Sequence, residues 1–180
     1  MTFVLETAAH AERRGAKVLG RVTGYAYGNN GQHPTHIDAA AVRVTDLLKN
    51  LLARSGTDIT DIGFVVGHGN GMPISDAAEI ACMRKIFSAH TKPVPLISTK
   101  PIYGHTMGAA SALNVAAAVL ILAHGRTIPT ANMDYASASS DMSFGSDAPL
   151  PGGKKAGIAL SCGIGGHNSA ITLEEYRRPP

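Results

Sequence analysis

Twice in this chain a short apolar run leads through a glycine-framed histidine into a helical pattern. Val65-Val66-Gly67-His68-Gly69-Asn70-Gly71 is one instance and Ser98-Thr99-Lys100-Pro101-Ile102-Tyr103-Gly104-His105 is the other, with the histidines 37 positions apart. A continuous apolar run such as that over 62–66 suits a strand covered on both faces, the condition of a parallel sheet. Strands that alternate with helices and then close in a hairpin place the chain in the α/β class, with a mixed sheet and helices on both faces. Glycines at a strand-to-helix turn let a side chain stand at the top of such a sheet, where a substrate can reach it.

The periodicities fill in the rest. Residues 3–5 read as a strand, 8–14 as a helix stopped by Gly15, and 17–25 as a strand followed by the turn Gly28-Asn29-Asn30-Gly31. Apolar residues at Ala40, Ala41, Val44, Leu47, Leu48, Leu51 and Leu52 predict a helix over 37–54. Residues 75–87 predict another, capped by Ser75, with Asp76 and Glu79 in its first turns. A strand over 94–98 precedes an alanine-rich helix over 105–124 that is apolar nearly all round and therefore expected to be buried. A polar loop over 129–151 leads to two strands, 156–161 and 169–174, joined by Gly163-Ile164-Gly165-Gly166. No internal repeat or boundary interrupts this order, so one domain over 1–180 is expected.

Composition narrows the function. Charged residues make up 16%, well below the usual level of about 25%, so another chain is expected to cover part of the apolar surface. The net charge of +3 is scattered, with short pairs such as Arg13-Arg14, Lys154-Lys155 and Arg177-Arg178. Without clustering or tryptophan, nucleic-acid binding is not expected; a modest basic face toward an acidic protein partner fits better. Cys82 and Cys162 stand in no metal or disulfide spacing, and no metal or cofactor is expected. The N-terminus has no secretory pattern. The apolar stretch over 109–123 is shorter than the roughly 20 residues a bilayer requires. The expected location is the cytoplasm, away from membranes.

His68 and His105 are the candidate catalytic pair. Either alone in a glycine turn reads as structural, but two in equivalent settings point to one site. A neutral imidazole N–H can donate to a carbonyl oxygen as negative charge develops there, as in a decarboxylation that leaves an enolate. Lys100 lies between an apolar strand and a buried helix. Glu79 is its expected carboxylate partner, within salt-bridge reach of about 4 Å. No nucleophile motif accompanies them, so the chain reads as half of an active site.

The segments His68-Gly69-Asn70-Gly71-Met72-Pro73-Ile74-Ser75-Asp76-Ala77-Ala78-Glu79 and Ser98-Thr99-Lys100-Pro101-Ile102-Tyr103-Gly104-His105-Thr106-Met107-Gly108-Ala109-Ala110 resemble the two histidine motifs of β-ketoacyl-(acyl-carrier-protein) synthases, condensing enzymes of the thiolase superfamily. Val4-Leu5-Glu6, Gln32-His33-Pro34-Thr35 and the closing run Ala159-Leu160-Ser161-Cys162-Gly163-Ile164-Gly165-Gly166-His167-Asn168 resemble the same family's second half, so the likeness covers essentially the whole chain. The resemblance implies a thiolase-like half-sandwich of βαβαβαββ type that completes a five-layer αβαβα fold with a partner. It implies that His68, His105 and Lys100 are catalytic, with Glu79 and Asp76 in support. It places the Cys162 backbone N–H in an oxyanion hole and His33, Thr35 and Asn70 against the substrate. The expected partners are an N-terminal ketosynthase half carrying the nucleophilic cysteine, in a separately encoded chain and hence a hetero-oligomer, and an acyl carrier protein.

The chain also departs from that pattern. Asn70 and Met72 stand where the family has threonines that contact the pantetheine arm, and Met72 cannot replace a hydroxyl. Cys162 stands where the family has a gating phenylalanine. The expected reaction is decarboxylative Claisen condensation of acyl thioesters. The alternative is a non-catalytic chain-length-factor-like subunit that shapes a partner's acyl tunnel. Such subunits generally lose the histidines and lysine that this chain retains. Cys162 as a nucleophile is disfavoured, because no helix N-terminus follows it. His167 is given no chemistry. His10, His36, His90 and His124 read as surface residues.

Overall fold

The computed structural model describes residues 2–33, 35, 38–135 and 141–177. Pro34, His36, the Ile37 start of the expected helix and Arg178 lie outside them. Among the described residues the elements run α1 (Ala8–Arg13), β1 (Arg21–Asn29), α2 (Val42–Ser55), β2 (Ile62–Val66), α3 (Pro73–Ile86), β3 (Leu96–Ile97), α4 (Lys100–Tyr103), α5 (Ala110–His124), β4 (Arg126–Thr127), β5 (Ala148–Pro149), β6 (Ala156–Gly163) and β7 (His167–Glu174). Five strands form one sheet in the order β1-β7-β6-β2-β3. β2 runs parallel to β3 and β6, while β7 is antiparallel to both β6 and β1. β4 and β5 form a separate two-stranded ribbon.

Both faces of the sheet are covered, which explains why β2 is apolar throughout: all five of its residues are buried. On one face Leu47, Leu48 and Leu51 of α2 and Cys82, Met83 and Ile86 of α3 pack against Val65, Ile158 and Leu160. On the other, Ala118, Ile121 and Leu122 of α5 pack against Phe64, Val66, Ala159 and Leu173. Gly157 makes the second contact possible. A Cβ there would stand 2.2 Å from the ring of Phe64, its partner across the β2–β6 ladder.

Several expected elements differ, each for a local reason. Residues 3–5 pair with no strand, and Val4 and Leu5 are exposed. β1 begins four residues later than expected and runs through Gly28-Asn29, where Gly28 lets Leu47 of α2 come close. α2 starts at Val42 because Ala41 takes a left-handed conformation, and Asp38 accepts the Arg43 N–H at 3.0 Å. Pro73, not Ser75, opens α3; its fixed φ and missing N–H suit the first turn. The helix expected over 105–124 is interrupted. α4 ends at Gly104 (φ 73°), His105 sits in the turn, and α5 begins only at Ala110.

α5 is also not buried all round. Met107–His124 has a mean hydropathy of 1.7 over 18 residues, enough in length and composition to cross a membrane, yet 28% of it is buried. One side lies on the sheet, where buried Asn114 bonds to strand carbonyls, and the outer side leaves Leu120 52% exposed. Gly157→Ala is expected to lower stability by about 1–3 kcal/mol through overpacking against Phe64, read as a drop in the urea midpoint at unchanged slope.

Candidate active site

Three residues at the end of β2 have every backbone polar group taken. The Gly67 N–H continues the parallel ladder to the Ile97 carbonyl at 2.8 Å, and the Gly67 carbonyl accepts from Asn114 Nδ2 of α5 at 2.8 Å. The His68 N–H donates to Glu79 Oε1 at 2.5 Å, and the Gly69 N–H to Glu79 Oε2 at 2.9 Å. The His68 carbonyl accepts from Lys100 Nζ, and the Gly69 carbonyl from Ser98 Oγ at 2.7 Å. Both glycines are required by space. A Cβ at Gly67 would come within 2.6 Å of Glu79 Oε1 and Leu96, and one at Gly69, where φ is +40°, within 2.6 Å of Ser98.

Glu79 and Lys100 thus grip opposite edges of the same peptide segment. They form no direct ion pair, contrary to the expected 4 Å bridge: the carboxylate is saturated by two N–H groups and the ammonium is turned to the His68 carbonyl. Burial pushes the Glu79 carboxyl up, opposed by the two N–H bonds. Burial pulls the Lys100 ammonium down, opposed by the charge of Glu79. Asp76, one turn before Glu79, is raised by burial against hydrogen bonds from Gly71 and Asn70.

The two imidazoles meet. The rings of His68 and His105 stand edge to face, with centroids 5.6 Å apart and planes at 76°. The backbone fixes both tautomers. The Cys162 N–H donates to His68 Nδ1 at 3.3 Å, and the Met107 N–H donates to His105 Nδ1 at 3.1 Å. A backbone N–H only donates, so each Nδ1 is an acceptor and each Nε2 carries the proton. Burial, then the charges of Lys100 and His105, lowers the His68 pKa to about 4. At neutral pH His68 is therefore a neutral donor and not an acid.

Both histidines line a cleft of about 570 Å³. Thr35, Asn70, Glu79 and Cys162 also line it. Asn70 Oδ1 accepts the Met72 N–H at 3.0 Å, which leaves its amide nitrogen as the available donor. His33 is not among the lining residues; its Nδ1 accepts the Thr35 N–H at 3.2 Å. Lys100 lies behind the cleft, buried with Asn114. Burial pushes the Cys162 thiol well above its ordinary range, which makes it a poor nucleophile. His90, expected at the surface, is half-buried, with ring nitrogens at 3.1 Å from the Ile59 carbonyl and 3.2 Å from Lys154 Nζ. Among the described residues no group of three or more His, Cys, Asp or Glu side chains is placed to hold a metal ion.

Residues 19–134 match the family described as Beta-ketoacyl synthase, C-terminal domain. The chain belongs to this family. It is 32% identical over 176 residues to an actinorhodin polyketide β-ketoacyl synthase of Streptomyces coelicolor, covering 96% of this chain and 37% of that one. The solved structure of a type II polyketide synthase acyl carrier protein in complex with its ketosynthase superposes with a TM-score of 0.86 at 23% identity, over 96% of this chain and 42% of that one. The ishigamide ketosynthase/chain length factor superposes at 0.85 with 26% identity, over 96% and 42%. The fold is thus the thiolase-like ketosynthase fold, and the relatives are transferases of the 3-oxoacyl synthase type. The chain spans about two fifths of the length of the relatives it matches.

Asn114 is the site residue that sequence reasoning missed. Its signal was a lone amide in the middle of a largely apolar helix. It is 1% exposed, and its Nδ2 also donates to the Leu160 carbonyl at 2.9 Å while Thr99 Oγ1 donates to its Oδ1 at 3.0 Å. It therefore ties β2, β6 and α5 together directly behind His68. Asn114→Leu is expected to destabilise the fold by about 2–4 kcal/mol, because two buried carbonyls lose their donor. Thermal and urea unfolding, compared with the exposed control Ser88→Ala, measure the loss.

Proposed function

We propose that this domain supplies the decarboxylating half of a ketosynthase active site. His68 and His105 donate their Nε2–H groups to the thioester carbonyl oxygen of a malonyl group. Carbon dioxide leaves, and the electron pair of the broken C–C bond becomes the enolate that the two donors hold. The enolate carbon then attacks an acyl thioester carried on a cysteine of an N-terminal ketosynthase half. A new C–C bond forms and the cysteine thiolate departs. Glu79, Lys100 and Asn114 position His68 and do not touch substrate.

The observation that carries this reading is the pair of imidazoles with both Nδ1 atoms occupied by backbone donors. Preorganised donors of this kind act where negative charge develops on oxygen, and the low pKa of His68 keeps it from binding a proton instead. Asp76, with one buried carboxylate oxygen lacking a partner, supports the charge balance behind it. The Cys162 N–H is the proposed oxyanion donor for the acyl group. Its bond to His68 Nδ1 is long, 3.3 Å, and an incoming oxygen would share the same N–H as a second acceptor. Thr35 and Asn70 contact the thioester arm from the cleft wall, and His33 acts by holding Thr35. A single domain over 1–180, assembly with the cysteine-bearing half into a five-layer hetero-oligomer, an acyl carrier protein as donor and a cytoplasmic location complete the proposal. The exposed outer side of α5 supports the assembly, and the carrier-bound ketosynthase relative supports the donor.

Losing one preorganised donor costs about 3 kcal/mol at the transition state, roughly a hundredfold in rate. In complex with a cysteine-bearing N-terminal half, His68→Ala and His105→Ala are therefore expected to permit acylation of that cysteine while carbon dioxide release from a malonyl donor falls about a hundredfold. Intact mass follows the first step and a carbon dioxide assay the second. Unchanged decarboxylation in both variants would move the chain to the tunnel-shaping, chain-length-factor-like role.

A further inference from the structure

We propose that His90 and Lys154 form an acid-released clamp on the start of β2: it holds the strand that leads to His68 at neutral pH and lets go when His90 takes up a proton. The clamp sits at the opposite end of β2 from the histidine cleft and does not depend on the ketosynthase reading.

β2 starts on a bulge. Ile62 pairs with Ala156 and Phe64 with Gly157, so β2 spends two residues where β6 spends one, and Gly63 is the extra residue. A bulge disrupts the ladder locally, and the backbone beside it needs other partners. Here the partner is Lys154, which stands just before β6 and crosses over the strand: its Nζ donates to the Ile62 carbonyl at 3.2 Å. Gly63 makes the crossing possible, since a Cβ there would stand 3.0 Å from Lys154 Cβ. The same ammonium lies 3.2 Å from His90 Nδ1, and His90 Nε2 lies 3.1 Å from the Ile59 carbonyl. A carbonyl only accepts and an ammonium only donates, so Nε2 carries the proton and Nδ1 is the acceptor. The ring stands edge to face with Phe87, just after α3, with centroids 5.2 Å apart. His90 and Lys154 thus tie the end of α3, the turn over 59–61 and the approach to β6 to one strand start.

This arrangement works for a neutral imidazole and fails for a charged one. A protonated Nδ1 has no lone pair to offer Lys154, and it sets a second cation beside the first. Acidic neighbours are already engaged. Asp141 pairs at 2.7 Å with Arg84 of α3, which lines the same groove as His90 and Lys92. Asp58 accepts the Thr60 N–H at 2.8 Å, Glu175 pairs with Lys155 at 2.9 Å, and the charge of Asp61 acts on Lys154. Burial, then the Lys154 charge, lowers the His90 pKa, against the Ile59 carbonyl, which raises it. As the pH falls, the unfolded chain therefore takes up this proton at the ordinary 6.5, before the folded chain does. The clamp's contribution to stability is complete above that value and is lost as the pH drops below it.

Amide hydrogen exchange and nitrogen NMR of the full chain test the clamp. The Ile62 amide, bonded to the Ile59 carbonyl, reports on the strand start, and the Val65 amide, bonded to the Pro95 carbonyl at 2.8 Å, serves as the internal reference. Between pH 7.5 and 5 the protection of Ile62 relative to Val65 is expected to fall about three- to tenfold, the loss of one hydrogen bond. His68 takes up its proton only near pH 4, below this window. His90 should show the Nε2–H pattern and a midpoint below 6.5, and Lys154→Met should raise that midpoint. His90→Gln supplies a donor and an acceptor that do not titrate, so it should keep the protection and abolish its pH step. A protection ratio flat with pH in the unsubstituted chain, a step that survives His90→Gln, or a His90 midpoint at or above 6.5 overturns the proposal.

Discussion

The structure depends on the Gly67-His68-Gly69 backbone, because three helices and two strands meet on it. Its six polar groups are satisfied by the Ile97 carbonyl, Glu79, Lys100, Ser98 and Asn114. All six partners are protein groups, and each bond left open would cost on the order of 1–3 kcal/mol. The arrangement admits no side chain at positions 67 and 69. His68 is therefore the one side chain of the three, and its direction is set by the packing of α3, α4 and α5 against the sheet.

That arrangement also sets the electrostatics. Glu79 and Lys100 each oppose the other's response to burial, although the peptide of His68 stands between them. Their opposite charges offset one another across that peptide. The Lys100 charge and burial together keep a proton off His68. An imidazolium there would bind an anion in the ground state, whereas a neutral N–H strengthens its bond as charge moves onto oxygen. A donor that gains strength only in the transition state is what a decarboxylation requires.

Much of this was legible in the sequence, unevenly. The apolar run of β2 allowed only a strand covered on both faces, and it appeared residue for residue. The glycine-framed histidines were legible because only glycine fits where Glu79 and Ser98 crowd the backbone. β1 was misplaced because Gly28 and Asn29, which read as a turn, are needed there for close approach to Leu47 and for pairing with β7. The break before α5 was hidden, since an alanine-rich run carries no signal for the left-handed Gly104 that turns His105 into the cleft. The Glu79–Lys100 pairing was drawn too directly. Charge complementarity is visible in a sequence, but backbone donors and acceptors that intervene are not. Asn114 was visible as an oddity, yet its partners come from two strands far away in the chain.

The central claim is that the environment behind His68 keeps it a neutral Nε2–H donor. Nitrogen NMR of the histidine-labelled protein, titrated from pH 8 to 3.5, measures this directly. His68 should hold the Nε2–H pattern throughout the neutral range and take up a proton only near pH 4. Lys100→Met should raise that midpoint, yet leave it below the ordinary value of 6.5 because burial is the larger cause. A His68 that titrates at 6.5 or above, or that carries its neutral proton on Nδ1, would contradict the claim.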